Sequence, residues 1–133
     1  MKLQTGTRLG LYAVLELARE PERTLSAAEL AEGFGVSTHH LAKVLRTLGT
    51  AGLVEAERGA GGGYRFIGNR RRTTLMDIVA LFEPAPGSRP KEPGEDTDIG
   101  GALQRVLLEI DEIAEATLRS ISLETMLRTP KGR

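Results

Sequence analysis

The chain contains no cysteine, and this absence excludes more than any other feature of its composition. Without thiols its 133 residues can form neither a disulfide nor a thiolate-ligated zinc or iron–sulfur centre. An apolar run of about 18 residues, the length that marks a membrane helix, is also lacking. The first residues show no charged-then-apolar export pattern. The expectation is a soluble cytoplasmic protein with no membrane partner. Catalytic constellations are missing too: there is no Ser/His/Asp or Cys/His set, and Glu109, Glu112 and Glu115 are spaced like the outer face of an amphipathic helix. The chain is read as a non-enzyme.

Net charge is the last thing lacking, since 18 Lys and Arg balance 18 Asp and Glu. A neutral chain argues against nucleic acid until it is divided. Residues 1–76 carry 11 basic side chains against 7 acidic ones, and residues 77–133 carry 7 against 11. A basic first half and an acidic second half suit a DNA-reading domain tied to a separate interaction region; a chance distribution is the competing account. The length supports one compact domain, or one domain plus an element that needs a partner.

Apolar periodicity predicts a first helix over residues 8–19, with Leu9, Leu11, Tyr12, Leu15 and Ala18 on its inner face and Pro21 beyond its end. Ser26 and Glu29 form a capping box that opens a short second helix, closed by Gly33 or Gly35. Ser37 caps a third, whose Leu41, Val44, Leu45 and Leu48 recur at helical spacing and which Gly49 or Gly52 terminates. Two short helices around so tight a turn make a helix-turn-helix. A strand over 53–57, a tip over 58–63 with four glycines after Arg58, and a strand over 64–67 follow as a β-wing. Thr74 and Asp77 are a second capping-box pair, opening a helix that runs to Phe82. Residues 84–101, rich in Pro and Gly, read as a flexible loop. From 102 to 121 Leu103, Val106, Leu107, Ile110, Ile113, Ala114, Thr117, Leu118 and Ile121 form one stripe on a helix of roughly 30 Å. A domain this small cannot cover it, so a second copy is inferred to do so, with Leu103, Val106, Leu107, Ile110, Ile113 and Leu118 as the seam. Residues 122–127 read as a short helix able to fold back on the long one.

The expected architecture is therefore mainly α with a small β-hairpin: a winged helix-turn-helix domain over 1–83, the loop over 84–101, and a dimerisation helix with a short terminal helix over 102–128. A recognition helix fits the major groove, and an arginine-led loop can reach the minor groove. Thr38, His39, His40, Lys43 and Arg46 on the third helix are the candidate base-reading side chains. The alternatives for the histidine pair are a solvated surface and a metal site, and adjacent helical residues diverge too widely for the latter. Arg58 with Gly59, Gly61 and Gly62 is the candidate minor-groove tip. A plain hairpin tip is its alternative, and a phosphate-cradling loop fails because no Gly-Lys-Ser/Thr ending follows. Lys2, Gln4, Thr5, Thr7 and Arg8 at the first helix are the candidate phosphate contacts, with an ordinary polar N-terminus as the alternative, and the caps Ser26 and Ser37 complete the DNA-binding candidates. Arg70, Arg71 and Arg72 are a basic triplet that is either solvated or a further phosphate contact. A protein-interaction or signalling module acting with a metabolic enzyme partner is the rival class.

Several of these stretches together resemble one family. Met1-Lys2-Leu3, Thr7-Arg8, Gly10-Leu11-Tyr12-Ala13, the run 25–32, Val36-Ser37, Ala51-Gly52-Leu53-Val54, Arg58-Gly59, Gly62-Gly63-Tyr64-Arg65, the run 74–79 and Phe82-Glu83 are similar to the IscR/NsrR/CymR family of bacterial winged-helix transcriptional regulators. The resemblance implies a homodimer, more often a repressor, that binds an imperfect palindrome in double-stranded DNA. It also implies, for sensing members, an iron–sulfur cluster on three cysteines in the loop before the long helix. Here that loop has none, and Arg8 stands where some nitric-oxide-sensing members offer a carboxylate. A guanidinium cannot ligate iron at cellular pH. No cofactor is carried over, and an effector, protein or small molecule, stays unidentified.

Overall fold

The computed structural model describes residues 2–84 and 89–128. Six helices and one hairpin follow in the order α1 (Thr5–Arg19), α2 (Ala27–Phe34), α3 (Thr38–Thr50), β1 (Val54–Glu57), β2 (Gly63–Phe66), α4 (Leu75–Phe82), α5 (Asp98–Arg119) and α6 (Leu123–Leu127). The mainly α winged helix-turn-helix with a long C-terminal helix is thus the observed class.

The caps act as their sequence spacing requires. Ser26 and Glu29 exchange side-chain-to-backbone hydrogen bonds at 3.0 Å in both directions, and Thr74 and Asp77 do the same at α4. Each such cap stabilises a helix by about 1 kcal/mol. Gly35 closes α2 in the left-handed region, φ 69°, the conformation glycine adopts without a Cβ penalty. That sharp exit turns the chain into α3 within two residues.

The inner face of α1 differs from the expected one. Leu9, Ala13, Val14, Leu17 and Ala18 are buried, whereas Leu11 and Leu15 are half-buried flanks and Tyr12 is 45% exposed, its ring tilted against Phe34. The reason is size. Gly10, Ala13 and Ala18 let neighbouring helices approach closely, and a Cβ on Gly10 would stand 2.3 Å from the Phe82 ring. A reading that weights large apolar residues picks the flanks instead.

Around α1 the core joins Leu30 and Ala31 of α2, Leu41, Val44, Leu45 and Leu48 of α3, Phe66 of the hairpin and Ile78 of α4. The hairpin is antiparallel, with Val54 opposite Phe66 and Glu55 opposite Arg65. Its β2 edge is tied to the domain by a two-way bridge in which Leu25 N–H donates to the Tyr64 carbonyl and Tyr64 N–H to that of Leu25. Gly63 is what permits this, since a Cβ there would lie 2.4 Å from the Leu25 carbonyl oxygen. The wing is thus anchored through β2 close to its tip turn, one residue beyond Gly63.

Beyond the hairpin the outcome departs further from expectation. α5 begins at Asp98, capped by Thr97, so four residues read as loop are helical. Within the same loop, residues 89–97 carry turns and ion pairs, while 85–88 lie outside the described residues. α6 packs against α1 and the winged domain rather than running back along α5. Leu123 is fully buried in the main core, its N–H donates to the Thr73 carbonyl, and Glu124 N–H donates to that of Arg70. A short apolar helix joins whichever core lies nearest its entry, and the Thr74–Ser122 bridge sets that entry.

Candidate nucleic-acid interface

Four buried leucine and valine side chains, Leu41, Val44, Leu45 and Leu48, seat α3 in the core. At 100° per residue, the opposite face of α3 is then His39, Lys43, Arg46 and Thr50, and all four are exposed. Neither Lys43 nor Arg46 forms an ion pair with another described residue. Ser37 caps the helix by accepting the His40 N–H at 3.1 Å, and it stays exposed beside Thr38. His40 is half-buried and sits at the margin of this stripe, so the two histidines are not equivalent. Thr50 was not singled out by the sequence; its position one turn beyond Arg46 is the signal that could have found it.

The wing presents Arg58, exposed to solvent, at the head of a turn with Gly59 at φ 102° and Gly61 at φ 77°. A Cβ on Gly62 would lie 2.5 Å from the Glu57 carbonyl oxygen. These glycines are therefore required by the turn itself, which leaves Arg58 as the tip's chemical group. Between α3 and the hairpin runs an open groove of about 520 Å³, lined by Arg46, Gly49, Thr50, Glu55, Ala56 and Tyr64 among others.

At the start of α1 the candidates separate. Lys2, Thr5 and Arg8 are exposed, but Thr7 is completely buried and its hydroxyl donates to the Glu83 carboxylate. The same carboxylate accepts the Gln4 N–H at 3.1 Å, so Glu83 caps α1 from the end of α4. Thr7 thus belongs to the junction of two helices and, contrary to the expectation from sequence, cannot reach a phosphate. Ser26 is half-buried, with its oxygen committed to the capping box.

The basic triplet also divides. Arg70 donates to the Ala18 carbonyl at 3.1 Å and pairs with Glu124 at 3.2 Å, so it ties α1 to α6. Arg71 and Arg72 remain exposed on a turn held by Asn69. Elsewhere, Glu16 receives Arg19 and Arg23. Burial alone would raise its carboxyl, yet hydrogen bonds from Arg23 and Arg19 together hold it below the usual carboxylate range.

Along α5 no residue is buried. Ile99 is 84% exposed and Ile113 68%, with Leu103, Val106, Leu107 and Ile110 between them at about half exposure. The earlier helix start adds Ile99 to the stripe. Leu118 leaves it: the side chain packs on the domain's own core, because the chain turns back there to donate Leu75 N–H to the Ile121 carbonyl. Among the described residues no helix is long and apolar enough to cross a membrane, and no cluster of three His, Asp or Glu side chains could hold a metal.

Comparison with known proteins agrees with this geometry over nearly the whole chain. The family described as Rrf2, iron-dependent transcriptional regulator, matches residues 3–129. A Rhodopseudomonas palustris protein named as the HTH-type transcriptional regulator BadM is 51% identical over 128 residues, which span 96% of this chain and 82% of that protein. Among solved structures, CymR, named as the global cysteine regulator of B. subtilis, superposes with a TM-score of 0.77 at 30% identity, covering 96% of both chains. IscR of T. potens superposes with a TM-score of 0.75 at 28% identity, covering 99% of this chain and 94% of that one. With a free cationic stripe on its third helix, an arginine-tipped wing and relatives of this kind, the chain belongs to the Rrf2 family of DNA-binding transcriptional regulators.

Proposed function

We propose that this regulator is a cluster-free homodimeric repressor acting in the cytoplasm on an imperfect palindrome. The observation that carries the reading is α5, a helix of 22 residues with none buried and an apolar stripe along its length. A solitary amphipathic helix in water is marginal, and its stripe calls for a cover of matching length. A second copy supplies one by two-fold symmetry, which a palindrome mirrors in the duplex. Half-sites one turn apart are about 34–36 Å centre to centre, comparable with the roughly 33 Å of α5. In each half-site α3 enters the major groove, Arg58 enters the minor groove, and Lys2, Thr5 and Arg8 hold phosphates. Repression then needs only occupancy of the site.

The test is selection of a duplex from a random pool, followed by affinity measurements from 50 to 200 mM salt. The expected result is a two-fold-related consensus and a steep linear fall of log affinity with log salt. Failure to bind any duplex at low salt would move the chain to the interaction-module class.

The family's iron dependence meets a donor set that does not fit it. No thiolate exists in these 133 residues. In the loop before α5, Glu95 is held by Arg89 at 3.2 Å and by the Glu92 N–H at 2.7 Å, and Asp96 by Lys91 at 2.7 Å. Soft thiolates are what iron–sulfur clusters take. Supplied anaerobically with iron and sulfide, the protein is expected to stay colourless, and DNA affinity is expected to be the same before and after. A visible absorption band with stoichiometric iron overturns this part of the reading.

A further inference from the structure

Two glutamates on the strand that leads into a DNA-contacting wing oppose the approach of DNA, and their presence calls for a reason. A carboxylate near a phosphodiester is repelled, and β1 carries both Glu55 and Glu57 in exposed positions. Side chains two apart on a strand share a face, and the register puts Arg65 of β2 directly across from Glu55 on that same face. Arg65 takes both. Its Nε donates to Glu57 at 2.7 Å and its guanidinium reaches Glu55 at 3.1 Å. The three side chains keep between 34% and 55% of their surface in solvent. The cluster therefore lies open, with one positive charge held between two negative ones. Glu55 also lines the groove shared with Arg46 and Thr50, beside the reading face of α3.

We propose that Glu55 and Glu57 are specificity-determining residues of the wing, acting by holding Arg65 away from phosphate. Phosphate contacts need no sequence, so a free arginine on this face would add most to binding in the many registers of an arbitrary duplex, and less in the selected complex, where α3 and Arg58 fix the register of the wing. Paired as it is, the cluster carries a net negative charge and opposes non-specific approach. Arg58 forms no ion pair with another described residue, and it contributes where a narrow minor groove attracts it. Affinity for arbitrary DNA is lowered more than affinity for the true site, so discrimination rises.

This rests on the DNA-binding reading above, and the test separates the two. The double variant Glu55→Gln, Glu57→Gln keeps amide oxygens that accept from Arg65, so the hairpin retains its cross-strand bonds while losing both charges. Binding is measured by fluorescence anisotropy on the duplex selected by the wild-type protein and on a mixed-sequence duplex. The expected result is roughly threefold or more tighter binding to the mixed duplex, a smaller selected-to-mixed ratio, and a salt slope steeper by about one unit for each additional phosphate neutralised. Arg65→Ala exposes both carboxylates and should weaken both duplexes. A purely structural clamp predicts something else: both variants lose affinity for the selected duplex, with no tightening and no change of slope on the mixed one. That pattern, or an unchanged mixed-duplex affinity in the double variant, overturns the proposal. Wild-type protein that binds neither duplex overturns the DNA-binding reading instead.

Discussion

Combining Lys43→Glu with Arg46→Glu is expected to lower affinity for the selected duplex by about a thousandfold or more, since each half-site loses two contacts at ~1–3 kcal/mol each. The two side chains lie one helical turn apart on the exposed stripe of α3 and pair with no other described residue. The fold has no stake in either, so the melting temperature should stay near that of the wild type, as for surface changes within about 0.5 kcal/mol. His39→Ala should cost the selected duplex more than His40→Ala, because His39 lies on the stripe and His40 at its half-buried margin. Lys2→Ala and Arg8→Ala should weaken selected and mixed duplexes alike, with a shallower salt slope. A loss below about fivefold for the double reversal, on a folded protein, would mean that α3 does not face the duplex.

The second large effect belongs to α5. Ile110→Asp places a charge in the middle of the stripe, where the neighbours Val106, Leu107 and Ile113 are apolar and 52%, 45% and 68% exposed. A second copy seated on this face would have to bury that carboxylate unpaired, which costs several kcal/mol. Light scattering coupled to size exclusion should show a dimer for the wild type at micromolar concentration and a monomer for the variant. Losing the dimer also separates the two reading heads, so operator affinity should fall by about 10²–10⁴-fold while each head keeps its weak half-site binding. The protomer should still fold, because no residue of α5 is buried in it. A wild-type monomer at these concentrations removes the dimer from the proposal and leaves the α3 prediction standing.

These two effects differ in how far the sequence alone supports them. The stripe on α3 is local: Leu41, Val44, Leu45 and Leu48 define its buried side, and the opposite side follows from helical geometry. The capping boxes at Ser26 and Thr74, the αL glycine at Gly35 and the wing glycines are local in the same sense, since each bonds or turns within a few residues. These features were legible because a short stretch of chain contains both the group and its partner.

What tertiary structure decided are the contacts between distant segments. Thr7 reads as a polar residue at a helix start, and only the arrival of Glu83 from α4 makes it a buried junction. Arg70 reads as one of three equivalent arginines until α6 brings Glu124 against it. Arg65 and the two glutamates of β1 are eight and ten positions apart, and only the hairpin register turns them into one cluster. Leu118 and Leu107 occupy the same apolar pattern, yet one meets the protomer's core and the other stays in solvent. Periodicity states which side chains share a face; which surface covers that face depends on chain segments far away in sequence. By itself the sequence determined the order of the elements, the caps at Ser26, Ser37 and Thr74, and the exposed face of α3. The fold decided which of the exposed charges are free to meet DNA.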